Sequence, residues 1–174
     1  MPGADPERLT ALMAEGLRRA GKRGLLATAG GALGRIDGAN DLHVIAGAPH
    51  DRLFPLVHAT LHHGGAGTTG AALHAGKPTA ICPFLGDQPF WARRVVALGV
   101  APRALDKRKM TADDLAAAFR AMDDPAMRAR AGNKRQILQI RQMRGMAEKQ
   151  RATVEQVYRL EEFPPDGFND VAAN

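Results

Sequence analysis

Cysteine is almost absent: one, Cys82, stands in 174 residues. That excludes an internal disulfide framework and any motif built on paired thiols. Cys82 lies in the apolar run Thr79-Ala80-Ile81-Cys82-Pro83, so it reads as a small core residue rather than a nucleophile. Long apolar runs are also missing. None approaches the ~20 residues of a membrane-spanning helix, and the N-terminus lacks the charged-then-apolar pattern of a secretory signal. The expectation is a cytoplasmic chain, at most peripheral to a membrane. Aromatic residues are scarce at 5%.

What is present fits an ordinary globular fold, with 45% hydrophobic and 24% charged residues in a length that suits one domain with one core. The net charge of +6 is concentrated near the C-terminus. Nine basic side chains between residues 126 and 160 face only Glu148 and Glu155 there. Such a stretch can recruit nucleic acid or an anionic surface. No aromatic is interleaved before Tyr158, however, and Met127, Ile137, Leu138, Ile140 and Met143 supply an apolar stripe. The segment is read as the solvated outer face of C-terminal helices, and no nucleic-acid partner is expected.

Helices and short strands alternate along the chain. Pro6 to Ala20 carries Leu9, Leu12, Met13 and Leu17 at helical spacing, with Asp5 as N-cap and Gly21 as stop. Gly24–Thr28, Leu42–Ala46, Ala59–His62 and Thr79–Cys82 are nearly continuous apolar runs, as strands covered on both faces would be. A short helical turn is expected at Leu53–Val57, and helices at Gly67–Ala75 and Gln88–Leu98. A further helical stretch follows the capping sequence at Thr111, with a break near Asp124-Pro125. The pattern predicts an α/β fold with a parallel sheet, ligands lying at the carboxyl ends of its strands.

The chemistry concentrates at one such end. Leu61-His62-His63-Gly64-Gly65-Ala66-Gly67-Thr68-Thr69 runs from a strand through glycines into a helix. Bare N–H groups and a positive helix terminus at that junction favour an anion such as a phosphate. Pro83-Phe84-Leu85-Gly86-Asp87-Gln88-Pro89-Phe90-Trp91 follows the next strand. A carboxylate beside an amide grips neighbouring hydroxyls in defined directions. An ordinary helix N-cap is an equally local reading of Asp87.

Together these blocks resemble the nucleotide-sugar-binding half of two-domain (GT-B) glycosyltransferases, in particular the sterol and antibiotic glucosyltransferases that use UDP-glucose. The resemblance runs from about Leu9 to about Leu160 and is densest from Pro49 to Gly99. It implies a Rossmann-like donor-binding domain over residues 1–160, followed by a flexible tail at 161–174. It assigns His63, Gly65, Gly67, Thr68 and Thr69 to the donor's diphosphate, and Asp87 and Gln88 to the transferred sugar. In Ala48-Pro49-His50-Asp51-Arg52-Leu53-Phe54 it places Ala48 at the base and His50 near the ribose. Gly47 stands where many relatives carry a base-stacking aromatic, Arg52 where sterol enzymes carry Trp, and Thr28-Ala29-Gly30-Gly31 lacks a tryptophan often found there. His62 is read as packing, and His43, His58 and His74 as structural.

The implied reaction is inverting transfer of a hexose, glucose by preference, from a UDP-sugar to a hydroxyl of a lipid or polyketide-like acceptor. It implies no metal and no cofactor beyond the donor substrate. In such enzymes the general base belongs to the acceptor-binding half, so no catalytic residue is expected here. In the family a strand ending in a Gly-Phe-Gly-Ser-Met-like turn precedes the first helix. Met1 then corresponds to that turn's methionine, and the expectation is a sheet whose first interior strand lies outside this sequence. Two alternatives stay open beside a whole transferase: the donor subunit of a split enzyme working with an acceptor-binding partner chain, or a non-catalytic remnant. A rival motif overlaps the same residues, because Gly65-Ala66-Gly67-Thr68-Thr69-Gly70 satisfies G-x-G-x-x-G. A dinucleotide fold needs its acid at the end of the next strand, whereas Asp87 follows a Pro-Phe-Leu-Gly loop, and the paired histidines have no role in that scheme.

Overall fold

The computed structural model describes residues 6–27 and 42–133. The expectations for Asp5, Thr28-Ala29-Gly30-Gly31, the basic residues from Lys134 onward and the tail at 161–174 lie outside them. Eleven elements follow one another: α1 (Pro6–Ala20), β1 (Gly24–Ala27), β2 (Leu42–Ile45), α2 (His50–Leu53) with a 3-10 turn (Phe54–Leu56), β3 (Thr60–His62), α3 (Ala66–His74), β4 (Thr79–Ile81), α4 (Gln88–Ala97), α5 (Ala112–Ala121) and α6 (Pro125–Ala131).

All described strand pairs are parallel. β1 pairs with β2 from Gly24 opposite Leu42 to Ala27 opposite Ile45. β3 pairs with β4 from Thr60 opposite Thr79 to His62 opposite Ile81. Among the described residues no ladder joins the two pairs. The far edge of β4 is occupied, since Thr79 N–H donates to the Val100 carbonyl (3.1 Å) and Leu105 N–H to the Ile81 carbonyl (2.9 Å). That is why β4 is buried along its whole length and reads as a continuous apolar run.

The core forms around β4 and the contact of α1 with α5. Leu9 and Cys82 are buried with Leu105, Met110, Leu115 and Ala118, and Leu12, Met13, Leu61 and Phe119 close over them. Gly16 lets the two helices touch: a Cβ there would stand 2.6 Å from the Cβ of Leu115. A second cluster joins Ala80 to Met122 and Met127. The capping sequence at Thr111 is a full capping box, with Asp114 N–H donating to Thr111 Oγ1 (3.2 Å) and Thr111 N–H to Asp114 Oδ2 (3.0 Å). The break at Asp124-Pro125 starts α6, where Asp124 Oδ1 accepts from Ala126 N–H at 2.9 Å. Outside the core, Glu15 binds Arg18 and Arg19, whose guanidinium hydrogen bonds hold its carboxyl down at about 2. His58 meets Asp123 at 3.3 Å.

Candidate functional site

The turn between β3 and α3 is built by residues that face opposite ways. Thr60 and His62 lie on one side of β3 by its alternation, and His63 leaves the strand exposed. The rings of His62 and His63 stand edge to face, 6.3 Å apart. Gly64 reverses the chain at φ +92°, where a Cβ would meet Ile81 Cγ2 at 2.6 Å. Both the backbone conformation and the core therefore demand glycine there. A Cβ at Gly65 would come within 2.6 Å of His63 Nε2, so the imidazole lies against the bare Cα of the α3 N-cap.

The first helical hydrogen bond of α3 runs from Thr69 N–H to the Gly65 carbonyl at 2.9 Å. The N–H groups of Ala66, Gly67 and Thr68 precede it and have no acceptor within the helix. Gly67 has nothing within 4 Å of where a Cβ would be, so a ligand can reach the backbone at that point. The N–H donors and the positive helix terminus thus stand next to the residue on which the His63 ring lies, an arrangement that suits an anionic group. Thr69 differs from Thr68 in exposure. It is 0% exposed, and its hydroxyl is buried without a hydrogen-bond partner among the described residues. Thr69 is buried on α3 together with Ala72 and Leu73.

The second block sits beside this turn. The Gln88 carbonyl lies 3.3 Å from the position of a Gly64 Cβ, and α4 packs near α3. Asp87 occupies the N-cap position of α4 but makes no side-chain cap bond. Its Oδ2 accepts instead from the indole N–H of Trp91 at 2.9 Å. Trp91 is 2% exposed, so a rigid buried ring holds the carboxylate of an exposed residue. The Gln88 Oε1 accepts from Phe84 N–H (2.7 Å) and Leu85 N–H (3.0 Å). Its amide nitrogen remains a donor, so the pair carries an acceptor at Asp87 and a donor at Gln88. Trp91 was not picked out as part of the site from sequence, although its spacing of four from Asp87 on one helix face was a usable signal.

The third block is looser. Ala48 and His50 are exposed. The His50 ring stacks on buried Phe54 at 4.6 Å and 13°, and α2 is fixed by Arg52 and Leu53 N–H groups donating to the Pro49 carbonyl. α2 packs against α3, the helix that the glycine turn opens. Among the described residues, no three His, Cys, Asp or Glu side chains come together as a metal site. No described helix is long and apolar enough to cross a membrane.

The parallel strand pairs and their intervening helices match the fold of solved glycosyltransferases. The chain superposes on the glycotransferase of kitacinnamycin with a TM-score of 0.67 at 24% identity, covering 86% of this chain and 40% of that one. It superposes on the glycosyltransferase VinC in complex with DTDP with a TM-score of 0.58 at 24% identity, covering 73% and 32%. Residues 33–139 match the model of the erythromycin biosynthesis protein CIII-like C-terminal domain, and the chain belongs to that family. Among curated proteins it is 40% identical over 132 residues to sterol 3-beta-glucosyltransferase UGT80A2 of Arabidopsis thaliana, covering 75% of this chain and 21% of that protein. It is 47% identical over 98 residues to a sterol 3-beta-glucosyltransferase of Saccharomyces cerevisiae, covering 56% and 8%. The chain thus spans about a fifth or less of these relatives' length.

Proposed function

We propose that this chain is the donor-binding part of a hexosyltransferase, and that it binds a UDP-sugar across the N-terminus of α3. The carrying observation is the His63 ring lying on Gly65 beside the unpaired N–H groups of Ala66, Gly67 and Thr68. The diphosphate lies over that terminus, the nucleoside against Ala48 and His50, and the sugar hydroxyls between the Asp87 carboxylate and the Gln88 amide. As the glycosidic bond to UDP breaks, negative charge grows on the diphosphate. His63 and the helix terminus oppose it from fixed positions, which lowers the barrier without a reorganisation cost. The reading uses no metal and no cofactor beyond the donor. The names of the sterol glucosyltransferase relatives support glucose as the sugar and a lipid hydroxyl as acceptor. The base that takes the acceptor's proton is assigned to an acceptor-binding half outside these residues.

The test is calorimetric titration of the chain with UDP, dTDP and UDP-glucose, beside His63→Ala and Asp87→Ala. His63→Ala should weaken all three ligands by about tenfold or more, the worth of one charge-assisted hydrogen bond. Asp87→Ala should weaken UDP-glucose and leave UDP unchanged. A folded parent that binds none of the three would overturn the reading.

A further inference from the structure

His62, read from sequence as packing, makes two directed hydrogen bonds that packing alone does not require. Its Nδ1 accepts from Gly64 N–H at 3.0 Å, and its Nε2 lies 2.8 Å from Thr79 Oγ1. A ring nitrogen that accepts from a backbone N–H carries no proton, so the proton is on Nε2 and is donated to Thr79. Thr79 Oγ1 also accepts from Thr60 Oγ1 at 2.9 Å, and both threonines are buried, at 0% and 8% exposure. A polar chain therefore runs from the interior of the β3–β4 ladder to the amide of the residue that reverses the backbone.

We infer that His62 is the positioning residue of the anion-binding turn: by clamping Gly64 N–H to β4, it sets where His63 and Gly65 stand at the α3 terminus. Gly64 at φ +92° has no side chain to define its rotation, so its amide must be held from outside. The clamp works only with a neutral imidazole, because a second ring proton would abolish the acceptor. Burial, followed by the neighbouring His63 and His50 charges, pushes the ring's pKa down to about 3, which keeps the acceptor in place at neutral pH. The inference rests on the UDP-binding reading for its functional consequence, whereas the clamp itself can be tested without ligand.

Two variants separate the roles. His62→Asn places an amide oxygen near the Nδ1 position and retains the acceptor for Gly64. His62→Gln reaches toward Thr79 and leaves Gly64 N–H unpaired. In the full chain, UDP affinity should stay within about threefold for His62→Asn and fall about tenfold or more for His62→Gln, the loss of one partly buried hydrogen bond that holds the turn. Both should have similar unfolding midpoints. Equal affinities in the two variants would refute the inference. Long-range proton–nitrogen spectra of the unmodified chain should show His62 as the neutral Nε2–H tautomer from pH 5 to 8. An Nδ1–H tautomer, or titration near the ordinary value of ~6.5, would refute the clamp. If the chain binds no UDP, the donor reading falls, and the spectrum alone decides whether His62 holds the turn.

Discussion

Gly65→Ala isolates the His63 contact without disturbing the fold. Gly65 has φ −59° and ψ 142°, a conformation any residue adopts, so alanine brings no backbone strain. Its new methyl would stand 2.6 Å from His63 Nε2 and 3.4 Å from Cδ2. Carbon contacts settle near ~3.5 Å, so the ring must retreat by about 1 Å. The colliding atom is the tip of an exposed side chain, and Gly→Ala at an N-cap costs at most about 1 kcal/mol. Stability should therefore fall little. Binding should fall more, because the retreat removes a charge-assisted hydrogen bond worth about 1.5–3 kcal/mol, or roughly 10- to 150-fold in Kd. Gly67→Ala is the companion: its methyl meets nothing within 4 Å and gains up to ~1 kcal/mol of helix propensity. It should raise the unfolding midpoint while filling the space a diphosphate would take. Calorimetric UDP titration and scanning calorimetry on both variants decide the matter. A folded Gly65→Ala chain whose Kd for UDP lies within about threefold of the parent's would show that the His63 ring does not touch the diphosphate.

Two further outcomes concern the scaffold. Gly16→Val should lower the unfolding free energy by about 1–3 kcal/mol, because its Cβ would collide with Leu115 Cβ at 2.6 Å and both atoms are fixed to helix backbones. An unchanged denaturant midpoint would contradict the α1–α5 contact. The Cys82 thiol is buried beside Met110 (3.9 Å) and pushed up to about 11, chiefly by burial. It should resist aromatic disulfide reagents at pH 8 until the chain is denatured, and labelling of the native chain at the unfolded rate would show an accessible thiol.

The elements were legible in sequence wherever a local cause fixes them. Four apolar runs became β1 to β4 within a residue or two, and Pro6–Ala20 formed the helix its Leu9, Leu12, Met13 and Leu17 spacing predicts. Thr111 and Asp114 closed a capping box because its partners are three residues apart. The glycine turn was equally local: Gly64 at φ +92° and Gly67 in open space follow from chain reversal and backbone access.

Sequence by itself thus determined the elements, the strand-to-helix glycine turn and the residue types gathered there. Only tertiary structure decided which way their atoms face. Thr68 and Thr69 look equivalent in the sequence, yet Thr69 is buried because helix rotation turns it toward the core. The Gln88 side-chain oxygen turns back to accept from the Phe84 and Leu85 amides, and Asp87 accepts from Trp91 and makes no cap bond. The partner of His62 lies 17 residues away on β4. Strand pairing and register, which no short stretch of chain encodes, bring Thr79 to His62 and turn a packing histidine into the clamp of the anion site.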